Sequence, residues 1–163
     1  NNQQPTITFN LPPQETTIKL LSYLPAIASP GVLIDGTTQP GYEPLPVQSS
    51  EMAAPTKPVV AITPAEGHEV WRGLTITADG VTIRGLSLYG FTTSHTQTAQ
   101  TPPADIFISH PLPPPDITNQ KVPNSNHSFY ETDIPPKDIL IENNWLGISP
   151  EMNYQPTNNQ QPT

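Results

Sequence analysis

Prolines are frequent in this chain but are confined to particular segments. Of 163 residues, 23 are Pro, and because proline lacks a backbone donor and disrupts helix interiors, this content argues against a helical bundle, a coiled coil or a doubly wound α/β domain. No Pro occurs in residues 65–101 or 137–149, whereas prolines occur repeatedly in the polar segments 41–57, 92–104 and 110–136. We therefore predict that these three segments are long Pro-rich surface loops.

The apolar residues lie in short runs that alternate with polar residues. Leu74 and Ile76, like Val81 and Ile83, are separated by one Thr, a spacing that places both members of each pair on one face of a β-strand. Only 34% of the residues are hydrophobic, so these faces must be brought together to offset the entropy of the chain. The alternation predicts an all-β protein.

Three of the runs, at residues 32–36, 81–85 and 139–143, share one pattern. Each contains an apolar residue, a variable residue, an Ile, a charged residue and then Gly or Asn. Gly and Asn tolerate a positive φ, which suits a sharp bend between two strands. A repeat of strand and bend is typical of a parallel β-solenoid, whose repeats bury their apolar faces only by stacking. A β-sandwich is the alternative, although it would favour more hairpin turns than the sequence offers.

These runs resemble a known family of proteins. The segments at 7–11, 24–27, 32–42, 73–91 and 141–147, of which IDGTTQPGY at 34–42 is the most specific, are similar to the opening coils of bacterial right-handed parallel β-helix proteins of the pectate-lyase-like superfamily. The likeness is greatest to the large secreted or surface members found in cyanobacteria and other bacteria. It covers most of the chain outside the three Pro-rich loops. It implies an all-β, right-handed parallel β-helix of about three coils, equivalent to the N-terminal coils alone.

The resemblance also assigns strands to coils. It places residues 6–11, 17–21 and 32–35 in a first coil, 58–63, 74–77 and 81–91 in a second, and 105–109 and 139–142 in a third. In that register Asp35, Arg84 and Glu142 form an outward column with one residue per coil, about 4.8 Å apart. The column is a structural charge ladder with Arg84 between two carboxylates, and each exposed pair contributes roughly a few tenths of a kcal/mol.

Charge and composition restrict the partners of the chain. Six Lys plus Arg against 14 Asp plus Glu give a net charge of −8, so neither nucleic acid nor anionic lipid is an expected partner. Nowhere do about 18 apolar residues run together, which argues against membrane insertion. The sequence contains no Cys, so thiolate metal sites, disulfides and thiol nucleophiles are excluded.

No group of residues in the sequence predicts an active site. The acids are scattered singly, without the paired carboxylates or grouped calcium ligands that polysaccharide hydrolases and lyases need, so we predict no catalytic, cofactor or metal site. The nearest candidate, His68 with Glu69, is interpreted as an exposed bend. Trp71, Tyr89 and Trp145 are candidate carbohydrate contacts if they project from one face, and otherwise they pack in the core or beneath a loop.

These observations together favour a noncatalytic structural or adhesive module of a secreted or cell-surface protein. We expect polar linkers at residues 1–5 and 150–163, the second rich in Asn, Gln, Pro and Thr, and a β-helix domain at 6–149. Any export signal would lie upstream of Asn1 or have been removed. Expected partners are a polysaccharide, another surface protein, or a second copy bound through open coil ends. The alternatives are a polysaccharide lyase or hydrolase of the pectate-lyase-like type and a carbohydrate-binding module.

Overall fold

The regular structure of the chain is almost entirely β-strand. The computed structural model describes residues 4–44, 56–92, 103–109 and 135–151. Within these ranges the one helical element is a single 3-10 turn, Gly36–Thr38. The strands are β1 Thr6–Thr8, β2 Thr17–Leu20, β3 Leu33–Asp35, β4 Val60–Pro64, β5 Arg72–Ile76, β6 Thr82–Arg84, β7 Leu86–Leu88, β8 Ala104–Ile108, β9 Leu140–Glu142 and β10 Trp145–Leu146. The prediction of an all-β protein is confirmed.

The strands form three parallel sheets. Sheet A has the order β1-β3-β6-β9, sheet B the order β10-β7-β4-β2, and sheet C pairs β5 with β8. Ile27 extends sheet C through an isolated parallel bridge to Ile76. The chain passes through sheets A, B and C in turn. The first strand of each new circuit pairs with the first strand of the previous circuit. One such circuit is called a coil below, and this arrangement fits the predicted solenoid.

The boundaries of the coils differ from those that the resemblance implied. β3 pairs with β1 and places Ile34 opposite Ile7, so residues 32–35 open the second coil rather than complete the first. The run at 81–91 is two strands, β6 and β7, which Gly85 separates and which belong to different sheets. The described strands therefore make three coils and the first two strands of a fourth. Period-two alternation marks the strands, but it does not show where a circuit closes.

The bends predicted after the charged positions are present, but glycine has two different roles in them. Gly85 and Asn143 have positive φ angles of 69° and 53°, as the sequence pattern predicts. Gly36 is absent from the positive-φ residues of the described chain, so the same prediction is wrong there. Instead, a Cβ on Gly36 would overlap the carbonyl oxygen of Gly85 in the neighbouring coil. The close approach of two coils, and not a left-handed backbone, requires glycine at this corner.

The core is built from side chains of all three sheets. Its buried hydrophobic members are Leu20, Val32, Ile34, Val60, Ile62, Val70, Leu74, Ile76, Ala78, Val81, Ile83, Leu86, Leu88 and Phe91. Most of them belong to the second and third coils. Burying one aliphatic side chain of this size contributes about 1.5–3 kcal/mol, so these two coils carry most of the hydrophobic stabilisation.

Few of the residues predicted to form loops and linkers are among the described residues. Most of the predicted loops at 41–57, 92–104 and 110–136, and the polar segment after residue 151, lie outside the described residues. Where the structure describes the chain, it contains no helix long and apolar enough to cross a bilayer.

Candidate functional site

The three residues of the predicted charge ladder lie side by side in sheet A. Asp35, Arg84 and Glu142 end β3, β6 and β9 and share one register position. Nη2 of Arg84 lies 2.6 Å from Oδ2 of Asp35, whereas Nη1 lies 3.9 Å from Oε1 of Glu142. The hydrogen bond to Asp35 raises the pKa of Arg84, and the same bond is the main reason that the pKa of Asp35 is lowered. Arg84 is therefore bound tightly to one carboxylate and loosely to the other.

Asp35 does not occupy the exposed position that was predicted for it. Its side chain is 7% exposed, against 37% for Arg84 and 39% for Glu142. Its Oδ1 accepts hydrogen bonds from the backbone amide of Thr37 at 3.0 Å and from the Thr37 hydroxyl at 2.5 Å. Asp35 is thus the N-cap of the 3-10 turn. The expectation of an outward, exposed column is wrong at this residue, because capping draws the carboxylate onto the turn.

The three candidate carbohydrate contacts belong to two different sheets. Trp71 immediately precedes β5 of sheet C, whereas Tyr89 immediately follows β7 of sheet B and Trp145 begins β10 of the same sheet. Trp145 lies opposite Ser87 in the pairing of β10 with β7. All three aromatic residues are half-buried. Tyr89 and Trp145 therefore lie at sheet B, whereas Trp71 lies at sheet C.

Trp71 contributes to a cluster of aromatic residues around an arginine. The Tyr23 and Trp71 rings meet edge to face, with centroids 5.1 Å apart. The guanidinium carbon of Arg72 lies 4.7 Å from the Trp71 centroid and 4.0 Å from the Phe107 centroid. Both distances are within the range of cation–π attraction. We call Tyr23, Trp71, Arg72 and Phe107 the aromatic–arginine cluster.

Within the aromatic–arginine cluster, Arg72 and Tyr23 differ strongly in solvent exposure. Arg72 is buried, and burial lowers its pKa. Tyr23 is 44% exposed, and partial desolvation raises the pKa of its hydroxyl. The sequence alone does not predict this cluster. Adjacent Trp71 and Arg72 were visible as a pair, but no local pattern indicates that Tyr23 of the first coil and Phe107 of the third would meet them.

A small open cleft is lined in part by the four residues that precede Trp71 in the sequence. Its volume is about 300 Å³, and its lining residues are Gly67, His68, Glu69, Val70, Gly90 and Thr92. Nδ1 of His68 is 3.1 Å from the carbonyl oxygen of Leu21, two residues before Tyr23. The pair singled out from the sequence, His68 and Glu69, thus borders a concave surface. A cleft lined by one imidazole and one carboxylate has the polar groups to contact a ligand such as a sugar.

Other ionisable groups of the described chain are dispersed. Among the described residues there is no group of three or more His, Asp or Glu side chains able to hold a metal ion. Asp105 on β8 is half-buried, and burial raises the pKa of its carboxyl, opposed by a hydrogen bond from the backbone of Gly147.

The outermost strands of the sheets expose apolar side chains whose counterparts on the inner strands are buried. Ile7 on β1 is 50% exposed, and at the opposite end of the sheets Ile141, Leu146 and Ile108 are 38%, 46% and 47% exposed. These four residues lie on strands at the edges of their sheets. Edge strands with exposed apolar residues are suited to pairing with further strands.

No protein-family model, no curated protein and no solved structure matches the chain. The architecture is compatible with the pectate-lyase-like resemblance because it is all-strand and its sheets are parallel.

Proposed function

We propose that this chain is a noncatalytic structural module, a right-handed parallel β-helix that acts as a rigid rod in a secreted or cell-surface protein. The ordered circuit through sheets A, B and C supports the β-helix. The right-handed sense follows from the strong preference of parallel crossover connections for that hand. The acidic composition, with few basic residues, is the basis for the extracellular setting and for a polysaccharide or another surface protein as the partner of the loops.

The observation that carries this proposal is that polar side chains bind the backbone of the neighbouring coil. Gln39, which is buried, accepts a hydrogen bond from the Leu11 amide at 2.8 Å and donates one to the Leu11 carbonyl at 2.9 Å. Asn144 donates to the Ile83 carbonyl at 2.8 Å and accepts from the Leu86 amide at 3.0 Å. Each amide thus satisfies two backbone groups of another coil, which would otherwise be costly to bury.

A carboxylate has the same bracing role at another corner. Oδ1 of Asp79 accepts a hydrogen bond from the Lys137 amide at 2.7 Å, and the Lys137 carbonyl accepts one from the Gly80 amide at 2.8 Å. Together with the Asp35–Arg84 pair, these contacts use polar side chains to fix one coil on the next. Side chains committed in this way favour rigidity over chemistry at those positions.

Two measurements on the purified chain test the structural role. Native-state hydrogen exchange is expected to show that the slowest amides of β3, β4, β6 and β7 open together, because these strands share one buried core. Incubation with pectate and with neutral polysaccharides is expected to release no oligosaccharide. Depolymerisation that Glu69→Gln abolishes and that Glu66→Gln, a change of a neighbouring exposed acid, leaves unchanged would overturn the noncatalytic assignment in favour of a lyase or hydrolase.

Carbohydrate binding is a second candidate function, favoured by the exposed edge of the aromatic–arginine cluster. Tyr23 is 44% exposed and its ring meets that of Trp71 edge to face. Residues 67–70, which line the cleft of His68 and Glu69, directly precede Trp71 in the sequence. Glycan-array binding tests this candidate. Specific binding is expected to fall at least about tenfold in Tyr23→Ala, since aromatic contacts of this kind are worth about 1.4 kcal/mol, and to persist in Tyr89→Ala. Loss in Tyr89→Ala alone would move the site to sheet B.

A further inference from the structure

The coils stack through three columns of aliphatic side chains, one in each sheet. Residues that share a register position define the columns: Ile7, Ile34, Ile83 and Ile141 in sheet A, Ile18, Ile62, Leu88 and Leu146 in sheet B, and Ile27, Ile76 and Ile108 in sheet C. In the middle coils these side chains are buried. Each contact between coils therefore repeats the same aliphatic pairs.

Both ends of every column are apolar and incompletely covered. The columns begin at Ile7, Ile18 and Ile27 in the first coil, the first exposed and the other two half-buried. They finish at Ile141, Leu146 and Ile108, all exposed. The last residue of each column thus matches, in size and chemistry, the residue that begins the same column.

We propose that two copies of this chain associate head to tail, with the last coil of one copy stacked on the first coil of the next. In this contact β9 lies beside β1 in sheet A and β10 lies beside β2 in sheet B. The proposal rests on the β-helix architecture proposed above and names a second copy as the partner of its ends. In a head-to-tail dimer, the first coil of one copy and the last coil of the other are still unpaired. The association is therefore heterologous, and further copies can add to form rods.

Strand direction favours the head-to-tail arrangement over its alternatives. The strands of sheets A and B run parallel, so stacking a second copy in the same orientation continues the parallel ladders of these two sheets and repeats the contact between coils. Joining two identical ends would instead place strands antiparallel and would bring each apolar column against itself in a new register. The existing contact between coils provides the pattern only for the first arrangement.

The edge strands carry little that would oppose such pairing. Proteins commonly block sheet edges with Lys or Pro, but β1, β9 and β10 contain neither, and β2 contains a single Lys, Lys19. In the proposed register Glu142 meets Thr8 and Lys19 meets Gly147, because Thr8 and Lys19 occupy the corresponding positions of β1 and β2. No pair of like charges is created along these strands.

Sedimentation equilibrium of the full chain tests the association. The weight-average mass is expected to rise with concentration above the 17.7 kDa of a single copy, and Ile7→Lys or Ile141→Lys is expected to remove the rise. Leu33→Lys is the matched control, because Leu33 is a half-buried aliphatic residue of a middle strand rather than of an end. Circular dichroism is recorded on every variant to show that it is folded.

Mixing the two end variants distinguishes head-to-tail stacking from other contacts. Each retains one intact end, so an equal mixture of Ile7→Lys and Ile141→Lys is expected to form dimers that neither variant forms alone. Since the chain has no Cys, Thr8→Cys and Glu142→Cys are also expected to form a disulfide between copies, because paired strands place Cα atoms within about 5.5 Å. Thr82→Cys, on a middle strand, replaces Glu142→Cys in the control mixture and is expected to give no more than the collisional background.

Three results would overturn the proposal. A folded chain whose mass stays at one copy at all concentrations shows that the ends do not bind each other, and it leaves the β-helix rod intact. Dimers formed by Ile7→Lys alone would show that identical ends join. Association that survives both end substitutions would place the contact elsewhere. Loss of cooperative hydrogen exchange in the unsubstituted chain would instead contradict the β-helix module itself.

Discussion

The middle coils and the last coil have the same pattern of apolar residues, but the middle coils bury these side chains more completely. Ile83 and Ile141 are neighbours in the sheet A column and face the same direction, yet Ile83 is completely buried and Ile141 is 38% exposed. The difference arises from position alone, because Ile83 has a coil on each side and Ile141 has one. In a stacked architecture a residue's energetic weight is set by its neighbours more than by its type.

The largest expected effect comes from truncating this column in the middle. Ile83→Ala is expected to lower the free energy of unfolding by about 4 kcal/mol, because it removes buried methyl groups and leaves a cavity. Ile141→Ala is expected to cost below about 1 kcal/mol, since its side chain is already partly hydrated. Urea denaturation followed by circular dichroism measures both. Equal losses would show that the last coil is as well covered as the middle, which would weaken the comparison.

The corners allow a second comparison, between two glycines with the same backbone conformation. Gly85 and Gly147 have φ angles of 69° and 73°, but a Cβ on Gly85 would lie 2.7 Å from Cγ2 and 2.8 Å from the amide nitrogen of Thr37, whereas one on Gly147 would meet nothing within 4 Å. Gly147→Ala should therefore cost only the left-handed strain of about 1 kcal/mol. Gly85→Ala should cost about 3 kcal/mol, because the overlap adds to that strain.

Thermal melts of the two glycine variants, measured side by side, check this prediction. A smaller loss of stability in Gly85→Ala than in Gly147→Ala would mean that the corner of the middle coils relaxes easily, contrary to the close approach of Gly36 and Gly85.

The charge ladder allows a third comparison, between the buried and the exposed carboxylate that contact Arg84. Asp35→Asn is expected to cost about 2 kcal/mol, since it removes a charged hydrogen-bond partner that is buried and bound at short range. Glu142→Gln, at the exposed end, is expected to cost less than about 0.5 kcal/mol. Urea titration of both variants decides the matter. A larger effect at Glu142 would reverse the proposed order of the two ion pairs.

The stability of the folded chain at low pH should also depend on the Asp35–Arg84 pair. The pKa of Asp35 is lower in the folded chain than in the unfolded one, so its contribution is complete above the unfolded value of about 3.9 and is lost as the pH falls through the lower folded value. The raised pKa of Asp105 acts in the opposite direction, because protonation of that group favours the folded state. The urea midpoint is therefore expected to fall less on acidification in Asp35→Asn than in the unsubstituted chain.

Part of the candidate site could be predicted because it depends on spacing along one repeat. The shared position of Asp35, Arg84 and Glu142 follows from the five-residue pattern in which each charged residue follows an Ile, and parallel pairing aligns such positions. The burial of Asp35 could not be predicted from this pattern, since it results from capping the turn at Thr37. The aromatic–arginine cluster was missed because Tyr23, Trp71 and Phe107 come from three successive coils and share no local motif.

The sequence by itself determined the strand class, the segments free of proline and two of the left-handed corners, because alternation, missing amide donors and positive φ are properties of residues and their immediate neighbours. Only the tertiary structure decided where one coil ends and the next begins, why Gly36 must be glycine, and which apolar residues remain open to water. Those features depend on contacts between coils, and such contacts join residues far apart in the chain at distances that no short pattern specifies.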